Sequence, residues 1–535
     1  MHAWRSLSPN FKGGFLESFR GHAPQLRAFA QLALMSGTAL ATLLLNLPPT
    51  AWGDNEHFYF SQALFSSEAN AGVFASGFPN YAAQIFIVLS SFVFDRMSVD
   101  SAWVVLRIVG YLSLAVGLGL LGIGLRAGPL ALALSITAFM QLGQDYFGGE
   151  WIVDGIEAKV FSYSLGFSAV ALFLLSRRAT AWALVVLSVL LHPLVGLSFL
   201  VFAGLLDFLA SRAKGWTALR LPSVAVGLSL GYVAVLRMLT SPEDSSISDF
   251  ARMIYTVVRH PHHLAPFGGL DPVSGAQIDG WLNYTDLILP TLMAALLALA
   301  IRREKSQRLR IFLLTLLWLH LWVPASLMLA WLDRGSQFLG PLYMLRPMSV
   351  LLLFSVLGLL TFLLRRLKGP RATEAFGSIL IIWAVLGAPS PGQLIALPGA
   401  ADITPTGQAV VAMVKSHVGP LETVLVDFEN IEEETGLTEG NFELIVNRGQ
   451  IAVWKFVPTR DQDIVTWWEV LEEKRAILAK QCTGVTTSRW DYILLALDSL
   501  PSDAKTSIVD HRAGLALVSL KGDALFKICR DSSGP

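Results

Sequence analysis

Three stretches of this chain concentrate residue types that can do chemistry. The first reads Gly53-Asp54-Asn55-Glu56-His57-Phe58-Tyr59, directly after an apolar run and with no basic residue following until Arg96. A carboxylate so placed can act as a general base or help hold a divalent cation such as Mg or Mn. Asp54 and Glu56 are therefore both candidate catalytic groups and candidate metal ligands; the alternative is a solvated acidic loop. The second stretch, Gln144 to Lys159, crowds Asp145, Glu150, Asp154 and Glu157 into a short segment. Like charges this close repel unless a cation, a proton or Lys159 compensates them. Asp154 and Glu157 share a face if a helix begins there, and Glu157 could equally favour that helix's positive N-terminus. The third, Arg259-His260-Pro261-His262-His263, suits an anionic group such as a phosphate. Zinc is the rival, although no cysteine or close acid completes a common ligand set. Arg346, at the start of an apolar run, is a further phosphate contact or an interfacial anchor.

Other signals are weaker. Gly117-x-Gly119-x-x-Gly122 matches a dinucleotide fingerprint but lies inside an apolar run with no preceding strand, so close helix packing is the expectation. Asn283-Tyr284-Thr285 is a sequon against an apolar run, and His192-Pro193 reads as a kink.

The elements that position these residues follow from composition. A chain of 535 residues with 53 % hydrophobic and 15 % charged residues is too apolar for one soluble fold. Apolar runs predict spans near 29–47, 102–125, 129–143, 160–176, 181–192, 194–209, 221–240, 284–301, 311–330, 345–364 and 374–390. Tyr81 to Phe94 is shorter and reads as an interfacial or re-entrant helix. With the N-terminus cytoplasmic, 19 of the 27 Lys and Arg before residue 395 fall on the inner side, which supports about eleven spans and an outer C-terminal tail. Residues 395–535 hold 20 of the 40 acidic residues but 13 of the 40 basic ones, as an ordinary acidic soluble domain would. The expected fold is a polytopic α-helical membrane domain, 1–394, and a soluble α/β domain, 395–535. In the latter, Thr423 to Val426, Ile451 to Phe456, Tyr492 to Leu497, Leu515 to Val518 and Ala524 to Ile528 read as strands, and a helix opens at Asp461. Cys482 and Cys529 both lie there, as a disulfide or as two core thiols.

Many spans, an acidic loop after the first, a second acidic loop on the same side and an outer α/β domain together resemble the GT-C superfamily of membrane glycosyltransferases. More narrowly, the chain resembles a set of bacterial membrane proteins through Glu157-Ala-Lys-Val-Phe-Ser-Tyr, Leu191-His-Pro-Leu-Val-Gly, Arg259-His-Pro-His-His-Leu-Ala-Pro and Arg448-Gly-Gln-Ile-Ala-Val-Trp-Lys-Phe-Val-Pro. The resemblance implies transfer of a sugar from a polyprenyl-phosphate or -diphosphate donor to a glycan, lipid or protein acceptor, on the outer (periplasmic) face of the inner membrane. It makes Asp54, with Glu56 as second choice, the catalytic carboxylate and matches Asp154 and Glu157 to the second acidic motif. Lys159, Arg259 with His260, His262 and His263, and Arg346 would bind substrate. The first loop departs from the family in reading Asp-Asn-Glu. Membrane lipid is a partner and nucleic acid is not. Two other classes remain: a transporter or flippase, which would want ionisable residues at mid-span, and a non-catalytic assembly subunit.

Overall fold

An apolar run in a bilayer has only its own backbone to bond, so it becomes a helix. The computed structural model describes residues 23–46, 54–65, 78, 80–144, 146–153, 155–210, 216–240, 245–272, 274–367, 403–454, 456–481 and 489–529. Its helices are α1 (Ala23–Asn46), α2 (Asp54–Phe65), α3 (Gln84–Phe94), α4 (Val99–Leu125), α5 (Pro129–Leu142), α6 (Ala158–Leu174), α7 (Arg178–Leu191), α8 (Pro193–Ala210), α9 (Trp216–Thr240) and α10 (Ser245–Met253). These are followed by α11 (Ile288–Arg303), α12 (Gln307–His320), α13 (Trp322–Asp333) and α14 (Met348–Arg366). Among the described residues, seven helical stretches are long and apolar enough to cross a membrane, and α5, α6, α7 and the Tyr81–Phe94 helix are shorter apolar ones. Ten of the expected spans coincide with these helices; the eleventh, 374–390, lies outside the described residues, as does the expected domain boundary at 394/395.

Small residues decide how α4 packs. A Cβ at Gly117 would lie 2.7 Å from the Ser164 carbonyl oxygen of α6, and one at Gly119 would lie 2.8 Å from the Ser36 nitrogen of α1. The glycine motif is thus a packing seam, as expected. At the other end of α6, Arg178 grips Asp207 of α8 with Nε–Oδ1 2.6 Å and Nη2–Oδ2 2.7 Å, and the Trp182 indole adds a third bond at 3.2 Å. That fork gives the buried Asp207 carboxylate its counter-charge.

The C-terminal region is a four-stranded sheet, order β3-β4-β6-β5, after a small β1–β2 hairpin (Gly269–Leu270, Gln277–Ile278) in the membrane part. β3 (Val424–Val426) runs parallel to β4 (Tyr492–Ala496), while β6 (Leu515–Ser519) is antiparallel to both β4 and β5 (Ile508–Arg512). Strand residues alternate between two cores: Val424, Val426 and Leu494 face Val410, Met413 and Ile431, while Leu425 and Ile493 face Ile464, Trp467 and Leu471. Among the described residues two expected strands do not form. Ala524–Cys529 is a helix whose buried residues fall at i, i+1 and i+4. Ile451 to Phe456 is irregular because it buries Val453 and Phe456 against the membrane helices instead of pairing in the sheet. β5 was hidden by its polar residues; it pairs through a two-residue turn, Ala513 (φ 49°) and Gly514 (φ 80°). Cys529 is disulfide-bonded; the chain's other cysteine, Cys482, lies outside the described residues.

The two parts share apolar packing. Phe456 stacks on Phe58 of α2 at 4.5 Å, and Ala251 and Ile254 join the core around Trp467. Arg259 Nε donates to the Trp454 carbonyl at 2.9 Å, and Ser248 Oγ to Asp461 Oδ2 at 2.6 Å.

The α4 seam makes a direct prediction. Gly117→Ala should lower the melting temperature of the solubilised full chain by the equivalent of about 1–3 kcal/mol, the usual cost of overpacking. Gly37→Ala is the control, because its Cβ would meet nothing within 4 Å; equal melting of both variants would rule out the seam.

Candidate functional site

The second acidic stretch is folded inward by its own glutamine. Gln144 Oε1 accepts from the Ile152 and Val153 amides at 2.9 and 2.7 Å, and its Nε2 donates to the Val153 carbonyl at 2.5 Å. Phe147 (φ 54°) and Gly148 (φ 73°) make the sharp turn between, a conformation that strains phenylalanine. The closed loop delivers Glu150 into a buried position, 8 % exposed, at the shared end of α5, α6 and α14.

Glu150 is met by two cations. Arg346, just before α14, bonds its Oε2 through Nη2, and Lys159, in the first turn of α6, reaches the same oxygen at 3.1 Å. Lys159 also lies 3.3 Å from Glu157 and 3.4 Å from the centre of the Trp151 ring. Burial alone would raise the Glu150 pKa, but Arg346 and then Lys159 overturn this and hold it well below the usual carboxylate value. Burial likewise opposes the Arg346 charge, and Glu150 with the surrounding tyrosines more than restores it. Glu150 is thus a fixed anion, too weak a base to take a proton near neutrality. Tyr255 and Tyr343 close the site, Tyr343 donating to the Tyr255 hydroxyl at 3.1 Å. His192, in the break between α7 and α8, is buried and close enough to act electrostatically on Glu150.

The described part of the first acidic stretch is not a solvated loop, the alternative to a chemical role. It is helix α2, with Asp54 as its first residue. Glu56 is fully buried: Arg107 grips it with Nε–Oε1 2.8 Å and Nη2–Oε2 2.5 Å, Trp103 donates at 3.3 Å and the Ile156 amide at 2.5 Å. Those four bonds occupy the carboxylate, which corrects its expected role as alternative base or metal ligand and makes it a strut. The strut joins the two acidic stretches, since a Cβ on Gly155 would meet Glu56 at 2.5 Å. The Asp54 side chain and all of Asp154 lie outside the described residues. Among the described residues no group of three or more His, Cys, Asp or Glu is arranged to hold a metal ion.

The histidine stretch is also revised. His260 Nδ1 faces the Tyr255 carbonyl and His263 Nδ1 the Gly148 carbonyl, each at 3.1 Å. Burial, then the Arg259 charge, pushes the His260 pKa well below 6.5, and burial lowers that of His263 to about 4. Both are neutral imidazoles near pH 7, not an anion-binding pair. Arg259 spends its Nε on Trp454 and is a domain contact, whereas His262 is exposed. The cations that converge on one buried place are Arg346 and Lys159. Glu150, their shared partner, was visible in sequence only as one of four crowded acids. Nothing in the sequence marked Arg107, Tyr255 or Tyr343.

The same shifts fix a pH response. Burial and Arg107 lower the His57 pKa to about 3, and His263 sits at about 4. Imidazoles with depressed pKa contribute stability above about 6.5 that is lost as pH falls toward those values; Glu150 contributes above about 4.5 and is lost lower still. The melting temperature of the solubilised chain should therefore fall steadily from pH 7 to pH 4. His263→Gln should flatten part of that slope, on the order of 1 kcal/mol or more, and an unchanged slope would contradict the neutral assignment.

No family model and no curated protein matches the chain. Solved structures similar to it include two of one protein. The crystal structure of ArnT from Cupriavidus metallidurans bound to undecaprenyl phosphate has a TM-score of 0.48 and 13 % identity, covering 96 % of this chain and 100 % of that one. The apo state of the same protein has a TM-score of 0.37 and 12 % identity, covering 96 % and 99 %. At such identities and with TM-scores below 0.5, neither likeness decides fold or function.

Proposed function

We propose that this chain is a membrane glycosyltransferase of the GT-C type, moving a sugar from a polyprenyl-(di)phosphate-linked donor to a glycan, lipid or protein acceptor on the outer face of the membrane. One observation carries the reading: an apolar cavity is lined by residues that flank a buried arginine in the chain. The cavity, about 370 Å³, is bounded by α8, α9, α12, α13 and α14, with Leu197, Phe202, Leu230, Leu319 and Leu351 among its walls. Tyr343, Met344 and Pro347 form one end, and they flank Arg346 in the chain. The Nε of Arg346 is buried and meets no acceptor among the described residues. Apolar walls contributed by the chain neighbours of a guanidinium with an unspent donor suit a lipid phosphate, whose tail stays in hydrocarbon while its oxygens need charged donors.

On this reading Arg346 and Lys159 hold the phosphate and stabilise it as the leaving group. Asp54, the first residue of α2, takes the proton of the acceptor hydroxyl, alone or with a divalent cation. That oxygen bonds the anomeric carbon as the carbon–oxygen bond to phosphate breaks. Glu157, 3.3 Å from Lys159, belongs to the same place, and Asp154 is assigned to substrate binding by the resemblance alone. The C-terminal domain roofs it and helps to hold the acceptor.

Asp54→Asn should lower transfer from a polyprenyl-linked sugar by at least about 100-fold, with expression and melting unchanged. Arg346→Lys, which keeps the charge but loses the fork, should weaken binding of undecaprenyl phosphate by about tenfold, the cost of one charge-assisted bond. Full activity in Asp54→Asn sinks the assignment of the base. Full activity after neutralising Asp54, Asp154 and Glu157 together would favour a non-catalytic assembly subunit.

A further inference from the structure

A second cavity lies on the far side of the Gly148 turn, and its chemistry differs from the first. It measures about 390 Å³ and is lined by Phe147, Gly148, His262, Trp281, Thr285 and Asp286. Phe147 and Trp281 meet edge to face, centroids 5.8 Å apart at 88°. The Trp281 indole N–H is buried and has no acceptor among the described residues. Opposite this aromatic corner stand a hydroxyl and a carboxylate. Asp286 Oδ2 accepts the Asn283 amide at 2.8 Å in a reciprocal capping box, which fixes the side chain. No Lys or Arg lines the cavity.

This composition selects among ligands. A phosphate would lack a cation here and would face a carboxylate. A purely apolar group would leave the indole N–H without an acceptor. A pyranose satisfies both sides, because its C–H face packs on an aromatic ring while its hydroxyls donate to carboxylate and accept from indole or hydroxyl. The volume falls within the range of small-ligand pockets. Its position also fits: a Cβ on Gly148 would meet Trp281 at 2.8 Å and Leu345 at 3.5 Å, and Leu345 precedes Arg346. The Gly148 turn therefore touches both the Trp281 of this cavity and the residue that precedes Arg346.

We propose that this cavity is a pyranose-binding site, with Trp281 as the stacking platform and Asp286 as the hydroxyl acceptor. The sugar is either that of the lipid donor or that of the acceptor; the chemistry is common to both. The proposal deepens the glycosyltransferase reading but is tested apart from it.

The experiment is saturation-transfer NMR on the detergent-solubilised full chain, with methyl β-glucoside, methyl β-galactoside and methyl N-acetyl-β-glucosaminide as probes. At least one should receive saturation. Its affinity should fall at least tenfold in both Trp281→Ala and Asp286→Asn and much less in Trp281→Phe, which retains a ring. Asparagine preserves the oxygen that holds the Asn283 amide, so Asp286→Asn should melt normally and keeps the test open should Trp281→Ala fold poorly. Competition by undecaprenyl-phosphate-glucose but not by undecaprenyl phosphate assigns the donor sugar; no competition by either assigns the acceptor. No saturation of any probe, or saturation indifferent to both Trp281→Ala and Asp286→Asn, overturns the site. Undecaprenyl phosphate bound in an Arg346-dependent way without glycoside binding would leave the donor reading standing and remove this one.

Discussion

The geometry of this protein turns on one buried carboxylate, Glu150, shared by Arg346 and Lys159. Removing three charges from water is costly, and such networks are a weak source of stability compared with well-packed apolar residues. What the network does supply is position. Lys159 is fixed at the start of α6, Arg346 ahead of α14, and the Glu150 loop follows α5, so three helix ends are tied to one oxygen. Losing any member leaves an uncompensated buried charge, which costs far more than the pair contributes. The arrangement therefore holds cationic donors rigidly at the edge of an apolar bundle, where loops alone would leave them mobile.

Helix α2 extends that rigidity to the C-terminal domain. One side of it is fixed by Glu56 to Arg107, Trp103 and the Ile156 amide, and Phe58 meets Phe456 above. Asp54 starts this helix, so its backbone position is set jointly by the helical core and the C-terminal region. Glu56 illustrates how a residue nominated for chemistry can instead be a buried structural anchor.

Much of the helical architecture was legible because hydropathy sets span positions almost by itself: ten expected spans fall on observed helices, and the glycine seam of α4 was read correctly as packing. The soluble sheet was half legible. Strands rich in Val, Leu and Ile were found, whereas Ile451 to Phe456 looked like a strand because burial against another domain leaves the same apolar pattern as burial in a sheet. At the site, residue type showed where charge gathers but not who pairs with whom. Arg107 and Glu56 are 51 residues apart and Arg346 and Glu150 are 196 apart, and no local spacing encodes such contacts. The histidines misled for a related reason. A stretch of three reads as cationic from composition, while burial makes His260 and His263 neutral and turns them into fasteners for the Tyr255 and Gly148 backbone.

Charge balance constrains how the proposed site would handle a lipid phosphate. With His260 and His263 neutral, the cluster of Arg346, Lys159, Glu150 and Glu157 carries two positive and two negative charges. It is satisfied before any ligand arrives. An incoming phosphate would then exchange with Glu150 for part of Arg346, with only the Nε left over as a new donor. Exchange yields less free energy than filling an empty cationic site, because one buried bond is given up for another. For an enzyme that must release its lipid carrier after each transfer, modest phosphate affinity is an advantage, since tight ground-state binding of the product would slow turnover. On the proposed reading the apolar cavity would keep the lipid near, and the paired carboxylates would keep its head from being held too firmly.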